Sequence, residues 1–536
     1  MFPTTVGRYE LTLNMLFEHG RRYHGGSLVV SDERGTATRS TFAQVADRAD
    51  RLAAALLALG VEQGDRVATF CWNHQAHLEA YLAIPAIGAV LHTLNIRLEE
   101  SQLEFIVDHA ADKVVIVDED LLPTIEAVLR KAPSVTAVIV VGATTGGFET
   151  ALRYDDVLAD HAPVADYPDL TEDLAAIMCY TSGTTGDPKG VVYDHRSMVL
   201  HAWGAGLAAD GLGITEHDRC LPVVPMFHAN GWGIPHAAWM AGADLVMPGP
   251  DLSAANIARL VEQERVTLAG AVPTIWNDVL HLPEQRDLSS LRMIVCGGAA
   301  SPRALLEDFQ AAYDVEIIQA WGMTETGPLA SLARRPKGAP ASQEFDWREK
   351  TGRVLPGVEI RITDDADRAL PFDGVSEGEV EVRGPWCTAS YHGVEAPERF
   401  HDGWLRTGDV GTIDERGYLR ITDRAKDVIK SGGEWISSLA LEAEILTHPD
   451  VVEVAVIAVP DDRWTERPLP CVVLREGATA DAHALAAHTA ERVIKWSVPE
   501  RWTFIDAVPR TSVGKFDKKL LRARHAAGQL DVVMTK

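Results

Sequence analysis

The chain has 536 residues, 46% hydrophobic and 24% charged, with 50 basic against 77 acidic side chains and a formal net charge of −27. That length exceeds one hydrophobic core, so two or more domains of an ordinary globular protein are expected. The acidic balance argues against nucleic acid or an anionic membrane as the main partner, and any phosphate-bearing ligand needs a locally basic site.

The N-terminus lacks a charged stretch followed by an apolar core, so no signal peptide is expected, and no apolar run reaches the length of a membrane span. The six cysteines form no C-x-x-C pair. Cys71, Cys179 and Cys296 lie in apolar runs, which reads as reduced core thiols of a cytoplasmic protein.

Apolar residues at Phe42, Val45, Ala46, Ala49, Leu52 and Leu56 predict an amphipathic helix over 41–59, ended by Gly60. A buried strand is predicted over 65–71, a helix over 78–87 and strands over 89–94 and 113–117. A helix over 121–131 and a strand over 135–141 follow. Such alternation implies parallel sheets covered by helices, and it recurs from Cys220 to Gly322. After about residue 350 apolar and polar residues alternate, as in 358–362, 378–383 and 418–421, which predicts half-exposed antiparallel strands. A last segment reads as helix 439–446, strands 451–459 and 471–474, and helix 482–495. The expected architecture is α/β: a large N-terminal domain of parallel sheets with a β-rich subdomain (1–422), then a small α+β domain (423–536).

The most informative run is Tyr180-Thr-Ser-Gly-Thr-Thr-Gly-Asp-Pro-Lys-Gly190, fed by the apolar strand 174–179. Glycines let backbone N–H groups approach a ligand and form an anion-binding concavity, and hydroxyls and a lysine add donors and charge. A nucleotide-phosphate loop is the first reading and a polar surface loop the bland one. Walker A requires Lys followed by Ser or Thr, whereas Gly190 follows Lys189 here.

Further along, Pro225-Met-Phe-His228-Ala-Asn-Gly-Trp232 sets a histidine and a tryptophan in an apolar stretch, as core residues or as a site. Cys296-Gly-Gly-Ala-Ala-Ser301 follows a strand, either leaving room for a ligand at the sheet's carboxyl edge or making a tight turn capped by Ser301. Gln319-Ala-Trp-Gly-Met-Thr-Glu325 offers an aromatic for stacking on adenine, and Thr324 and Glu325 as oxygen ligands of the kind Mg²⁺ takes.

The order of the loop 180–190 and these later motifs resembles the adenylate-forming superfamily of acyl-CoA synthetases, peptide-synthetase adenylation domains and luciferases. The Pro-Met-Phe-His-x-Asn-x-Trp form and Lys430-Ser-Gly-Gly-Glu-Trp-Ile-Ser-Ser438 are similar to medium- and long-chain fatty acyl-CoA synthetases, and the likeness runs along essentially the whole chain. It implies ATP, Mg²⁺ and CoA as cofactor and co-substrates, and a small carboxylic acid as partner, with a homodimer plausible. Nucleotide contacts fall on Thr181, Ser182, Gly183, Thr184, Thr185, Gly186, Lys189, Gly298, Ala299, Gln319, Ala320, Trp321, Gly322 and Thr324. Asp409, Arg424, Lys426, Lys430 and Trp435 complete that set, with Asp409 on the ribose hydroxyls. Thr181 and Glu325 are the implied metal ligands. His228, Trp232, Val272, Pro273, Gly297, Gly298 and Met323 border the acid, with Trp232 gating its tunnel. Gly432, Gly433 and Trp435 face CoA, Asp423 is the hinge of a mobile C-terminal domain, and Lys515 reaches the carboxylate and α-phosphate.

The implied reaction has two halves. The acid attacks the α-phosphorus of ATP, giving acyl-AMP and pyrophosphate, and CoA thiolate then displaces AMP. An apolar fatty acid is the main expectation. An aryl acid, a sulfur-containing short acid or a steroid side chain stays open, as does transfer to an amine or carrier protein.

Overall fold

The computed structural model describes the whole chain except residues 1–4, 146–147, 149, 182–187, 365, 425, 432–433, 462, 511–515 and 536. The chain forms two compact units, residues 1–359 with 383–405, and residues 360–382 with 406–536.

The first unit holds two sheets. In one, the strands Leu152–Arg153, Ala137–Val141, Asp112–Asp118, Arg66–Phe70, Val90–Thr93 and Ala175–Tyr180 lie in that order and run parallel. Gly190–Asp194 adds antiparallel to the last. The helix Phe42–Ala58 starts at a Thr41 capping box, in which Gln44 Oε1 accepts the Thr41 N–H at 2.8 Å. Helices Glu100–Ala110 and Leu122–Lys131 bury Leu103, Ile106 and Ile125 against Phe70, Val115 and Val138.

In the second sheet, Asp244–Met247, Arg219–Pro222, Leu268–Ala271, Met293–Cys296 and Ile317–Gly322 lie side by side and parallel. Leu329–Leu332 and Gly352–Val354 continue it antiparallel. Side chains alternate across a strand. Accordingly Ala269, Ala271, Ile294 and Cys296 share one face, packed with Trp276, Leu306 and Phe309 from the helices Pro273–Leu280 and Arg303–Tyr313. The alternate positions, Gly270 and Val295, belong to the other face, where the site lies.

The second unit carries most of the hydrogen-bonded strands Glu359–Thr363, Gly378–Arg383 and Trp404–Ile413 and all of Tyr418–Arg424. A further sheet joins Ile429–Ser431, Val451–Asp461, Thr465–Leu474 and Arg501–Phe504, with helices Ser438–Leu446, Ala482–Ala490 and Lys518–Ala526. Two expectations need correction here. The strand read as 471–474 begins at Thr465, because Pro468 and Pro470 sit at same-parity positions that keep their register with Val451–Asp461. The helix read to 495 ends at Ala490, after which the Arg492 and Val493 N–H groups both turn back on the Thr489 carbonyl at 3.0 and 3.1 Å. No helix among the described residues is long and apolar enough to cross a membrane.

Candidate active site

The loop expected to hold phosphates joins Ala175–Tyr180 to Gly190–Asp194. Its neck is closed by two bonds: Thr181 N–H to the Lys189 carbonyl at 2.9 Å, and Lys189 N–H to Thr181 Oγ1 at 3.1 Å. Ser182, Gly183, Thr184, Thr185 and Gly186 lie outside the described residues. Lys189 Nζ stands 4.9 Å above the Tyr391 ring, and the Tyr391 hydroxyl donates to Glu325 Oε1 at 2.6 Å. Burial, then the Glu325 charge, pushes the Tyr391 hydroxyl well above its usual pKa. Arg399 Nη2 lies 3.9 Å from the same Glu325 oxygen. Thr324 is tied in by Tyr193, whose hydroxyl donates to the Thr324 carbonyl at 2.6 Å. Thus the loop neck, Lys189 and the buried Glu325 form one connected polar set. Tyr391 and Arg399 were not anticipated, because they lie in an irregular stretch with no periodicity and no motif around them.

Three parallel strands end beside one another, and their carboxyl ends carry the next expected residues. Val272 and Pro273 follow Leu268–Ala271, with Pro273 at the first position of its helix. Gly297, Gly298 and Ala299 follow Met293–Cys296, and Gln319, Ala320, Trp321 and Gly322 end Ile317–Gly322, just before Met323. Gln319 Oε1 accepts the Ser301 N–H at 2.7 Å and joins two of these loops. Ser301 does not cap the following helix, which has Pro302 at its cap and no side-chain capping bond. The capped-turn reading of this segment is therefore corrected.

The stretch after Pro222 is held by buried Asn73, which donates to the Pro222 and Val224 carbonyls at 2.8 and 2.9 Å and accepts the Met226 N–H at 2.7 Å. Half-buried His228 follows, and its carbonyl accepts the Gly231 N–H at 3.0 Å. From Ala229 to Gly233 every φ is positive (33, 44, 61, 57 and 71°). This is unfavourable for Ala229 and Trp232, on the order of 1 kcal/mol or more each, and easily borne by Asn230. The left-handed turn swings the Trp232 indole over the sheet. A Cβ built on Gly297 would lie 3.0 Å from Trp232 Cη2, and one on Gly270 3.6 Å from Trp232 Cε3. A side chain at Gly297 would crowd the indole, whereas at Gly270 the tighter neighbour is Ile234 Cδ1 at 3.0 Å. Gly270 was missed in the sequence, although a glycine inside a strand is itself a sign of close approach.

Within the second unit, Asp409 and Arg424 are cross-strand partners, and Arg424 Nε lies 2.7 Å from buried Asp409 Oδ1. Buried Asp423 accepts the Ser438 N–H and, at 3.0 Å, the Ser438 hydroxyl, so it anchors the start of the helix Ser438–Leu446. Burial holds the Asp423 carboxyl above the usual range, against the opposing charge of Lys518. Lys518 Nζ donates to Ser438 Oγ at 2.7 Å and pairs with Glu442 at 2.6 Å. Lys426 and Lys430 are exposed. Gly432, Gly433, Lys515 and the Trp435 side chain lie outside the described residues.

Residues 16–392 match the AMP-binding enzyme family and residues 440–515 its C-terminal domain, and the chain belongs to that family. It is an enzyme of the ATP-using, AMP-forming ligase class. A 3-methylmercaptopropionyl-CoA ligase of Ruegeria pomeroyi is 41% identical, covering 96% of this chain and 97% of that protein. A long-chain-fatty-acid–CoA ligase of Thermus thermophilus is 43% identical, covering 98% and 97%. Among solved structures, the anthranilate CoA ligase AuaEII in complex with anthranoyl-AMP is similar with TM-score 0.88 and 26% identity, over 97% of this chain and 99% of that one. ATP-bound MatB of Rhodopseudomonas palustris is similar with TM-score 0.85 and 27% identity, over 97% and 100%.

Proposed function

We propose that this protein is an acid–CoA ligase whose acid is short and carries a thioether or similar group in its tail. The observation that carries this reading is the Trp232 indole, which lies against Gly270 and Gly297 on the strand ends that carry the residues expected to border the acid. Relatives named for a methylmercapto acid support the same choice. A medium- or long-chain fatty acid is the second reading, favoured by the Thermus and Ectopseudomonas relatives.

In the proposed reaction an acid oxygen attacks the α-phosphorus, the bond to pyrophosphate breaks, and a CoA thiolate then attacks the acyl carbon of acyl-AMP and expels AMP. Lys189 and the loop N–H groups bind phosphate oxygens, Gln319 to Gly322 border the base, and Asp409 with Arg424 takes the ribose. Lys515 offsets charge on the α-phosphate in the first half, with Asp423 as the hinge between domains 1–422 and 423–536. Gly432, Gly433 and Trp435 are assigned to CoA. Thr181 Oγ1 and the Glu325 carboxylate, oriented by Tyr391, are hard oxygen donors of the type Mg²⁺ takes, and would hold it. The ion would supply charge neutralisation on the phosphates. Activation is then positional and electrostatic, with no covalent enzyme intermediate. A cytoplasmic location and a homodimer belong to the same proposal.

The test is a panel of acids (3-(methylthio)propanoate, pentanoate, octanoate, palmitate and benzoate) with ATP and Mg²⁺, following pyrophosphate and AMP with and without CoA. CoA-dependent AMP release, best with the thioether acid, is expected. An optimum on palmitate would replace this reading with the second. Pyrophosphate without a CoA effect would move the acceptor to another nucleophile.

A further inference from the structure

The polar set around the loop neck holds two opposite charges that the proposed reaction uses separately: the Lys189 ammonium for phosphate and the Glu325 carboxylate for the metal. Opposite charges attract strongly where water is partly excluded, and pairing would take both away from their ligands. Among the described residues Lys189 makes no ion pair. Its Nζ stands over the Tyr391 ring, 4.9 Å from the centroid, while the hydroxyl of that ring donates to Glu325 Oε1 at 2.6 Å. One side chain thus meets both charges, the cation with its face and the anion with its edge.

Tyr391 is placed by backbone bonds to both of the segments it serves. Shortly before it, the Thr388 N–H donates to the Glu325 carbonyl at 2.8 Å. Directly after it, the His392 N–H donates at 2.8 Å to the carbonyl of Gly190, the neighbour of Lys189. A Cβ on Gly190 would lie 3.2 Å from His392 Cβ and 3.1 Å from Tyr180 Cζ, so a glycine lets these segments close up. The Tyr391 residue is 6% exposed, and its ring packs edge-on against Phe400 with centroids 5.0 Å apart.

The two contacts act differently. An aromatic face attracts an ammonium through its quadrupole but offers no lone pair in return, so Lys189 is held without spending its N–H groups. A lysine stem is otherwise free to swing, and holding it beforehand lowers the entropy lost when it binds phosphate. At the edge, burial and the Glu325 charge keep the phenol protonated, so it donates. It takes one of about four lone-pair sites of the carboxylate and fixes the orientation of the rest.

We propose that Tyr391 is a positioning residue that holds the charges of Lys189 and Glu325 apart, aiming the first at the nucleotide phosphates and the second at the metal ion. This rests on the ligase reading above and adds to it a side chain from outside the phosphate and metal motifs. Without the ring, Lys189 and Glu325 pair with one another, and the nucleotide must break that pair to bind.

The test is calorimetric titration with ATP, in EDTA and with Mg²⁺, of wild type, Tyr391→Phe, Tyr391→Leu, Glu325→Gln and the double variant Tyr391→Leu with Glu325→Gln. In EDTA, Tyr391→Phe keeps the ring and is expected to bind ATP within about twofold of wild type. Tyr391→Leu is expected to bind about tenfold more weakly. Adding Glu325→Gln to it is expected to recover most of that loss, a larger gain than the same change gives in wild type, which lost packing alone does not produce. Tyr391→Phe loses the bond to Glu325, and the Mg²⁺ concentration for half-maximal pyrophosphate release is expected to rise about fivefold. An unchanged Mg²⁺ requirement in Tyr391→Phe overturns the inference, as does a loss in Tyr391→Leu that is absent or not recovered. Binding of ATP to wild type only with Mg²⁺ present also overturns it, because Lys189 then holds no phosphate by itself. Absence of ATP binding under both conditions overturns the ligase reading, and the inference falls with it.

Discussion

His236 is expected to make the protein acid-sensitive, and the size of the effect follows from its surroundings. Its ring is buried against Tyr81, 5.4 Å away, with no protein partner among the described residues to stabilise a charge. Burial pushes its pKa from 6.5 to about 4. The unfolded chain therefore binds this proton first as pH falls. The contribution to stability is fully present above 6.5 and is lost between 6.5 and about 4. Between about pH 7 and about pH 5 the loss from this one group is about 2 kcal/mol, since one pKa unit is worth about 1.4 kcal/mol. Replacing His236 by Phe keeps an aromatic ring in the same apolar space and removes the proton site. Urea unfolding of wild type and His236→Phe at those two pH values measures the difference directly. The variant is expected to lose about 2 kcal/mol less than wild type over that interval. Equal losses in the two proteins would refute the reasoning, because they would mean that His236 is solvated or paired in the folded state.

Glu325→Gln removes the carboxylate charge that Tyr391 orients and Arg399 approaches, and is expected to slow acid-dependent pyrophosphate release about a hundredfold. A change under threefold would remove Glu325 from the reaction. Gly297→Ala places a Cβ 3.0 Å from Trp232 Cη2 and 3.2 Å from the Ala320 carbonyl. Its expected effect is a raised KM for the acid with little change in the KM for ATP, read from initial rates, and equal changes in both would contradict the role of the glycine–indole contact. Lys518→Met leaves Glu442 without its partner at 2.6 Å. Breaking such a pair costs about 3 kcal/mol, visible as a lower urea midpoint, and an unchanged midpoint would show that the pair contributes nothing.

Much of the architecture could be read from local pattern. The helix at Phe42–Ala58 and the strands Arg66–Phe70 and Asp112–Asp118 lie within a few residues of their expected bounds, because periodicity and apolar runs are set by backbone geometry close along the chain. The glycine- and hydroxyl-rich loop could likewise be placed after a strand, since nothing in a core has use for such a run, while the strand that follows it emerged only in the structure. What the pattern left undetermined depends on which strands become neighbours. Tyr391 reaches Glu325 across 66 residues, and His201 meets Leu329 across 128. Gly270 and Gly297 come under one indole only because the strands carrying them are adjacent, with Gly270 opposite Val295. The π-helical turn at 202–207 and the left-handed run at 229–233 are hinted at only by their glycines and Asn230, and packing over the sheet holds Ala229 and Trp232 in the left-handed region against local preference. Sequence determined the elements and the types of side chain available for phosphate and acid. Strand order and register, fixed by tertiary packing alone, decided which of those side chains meet.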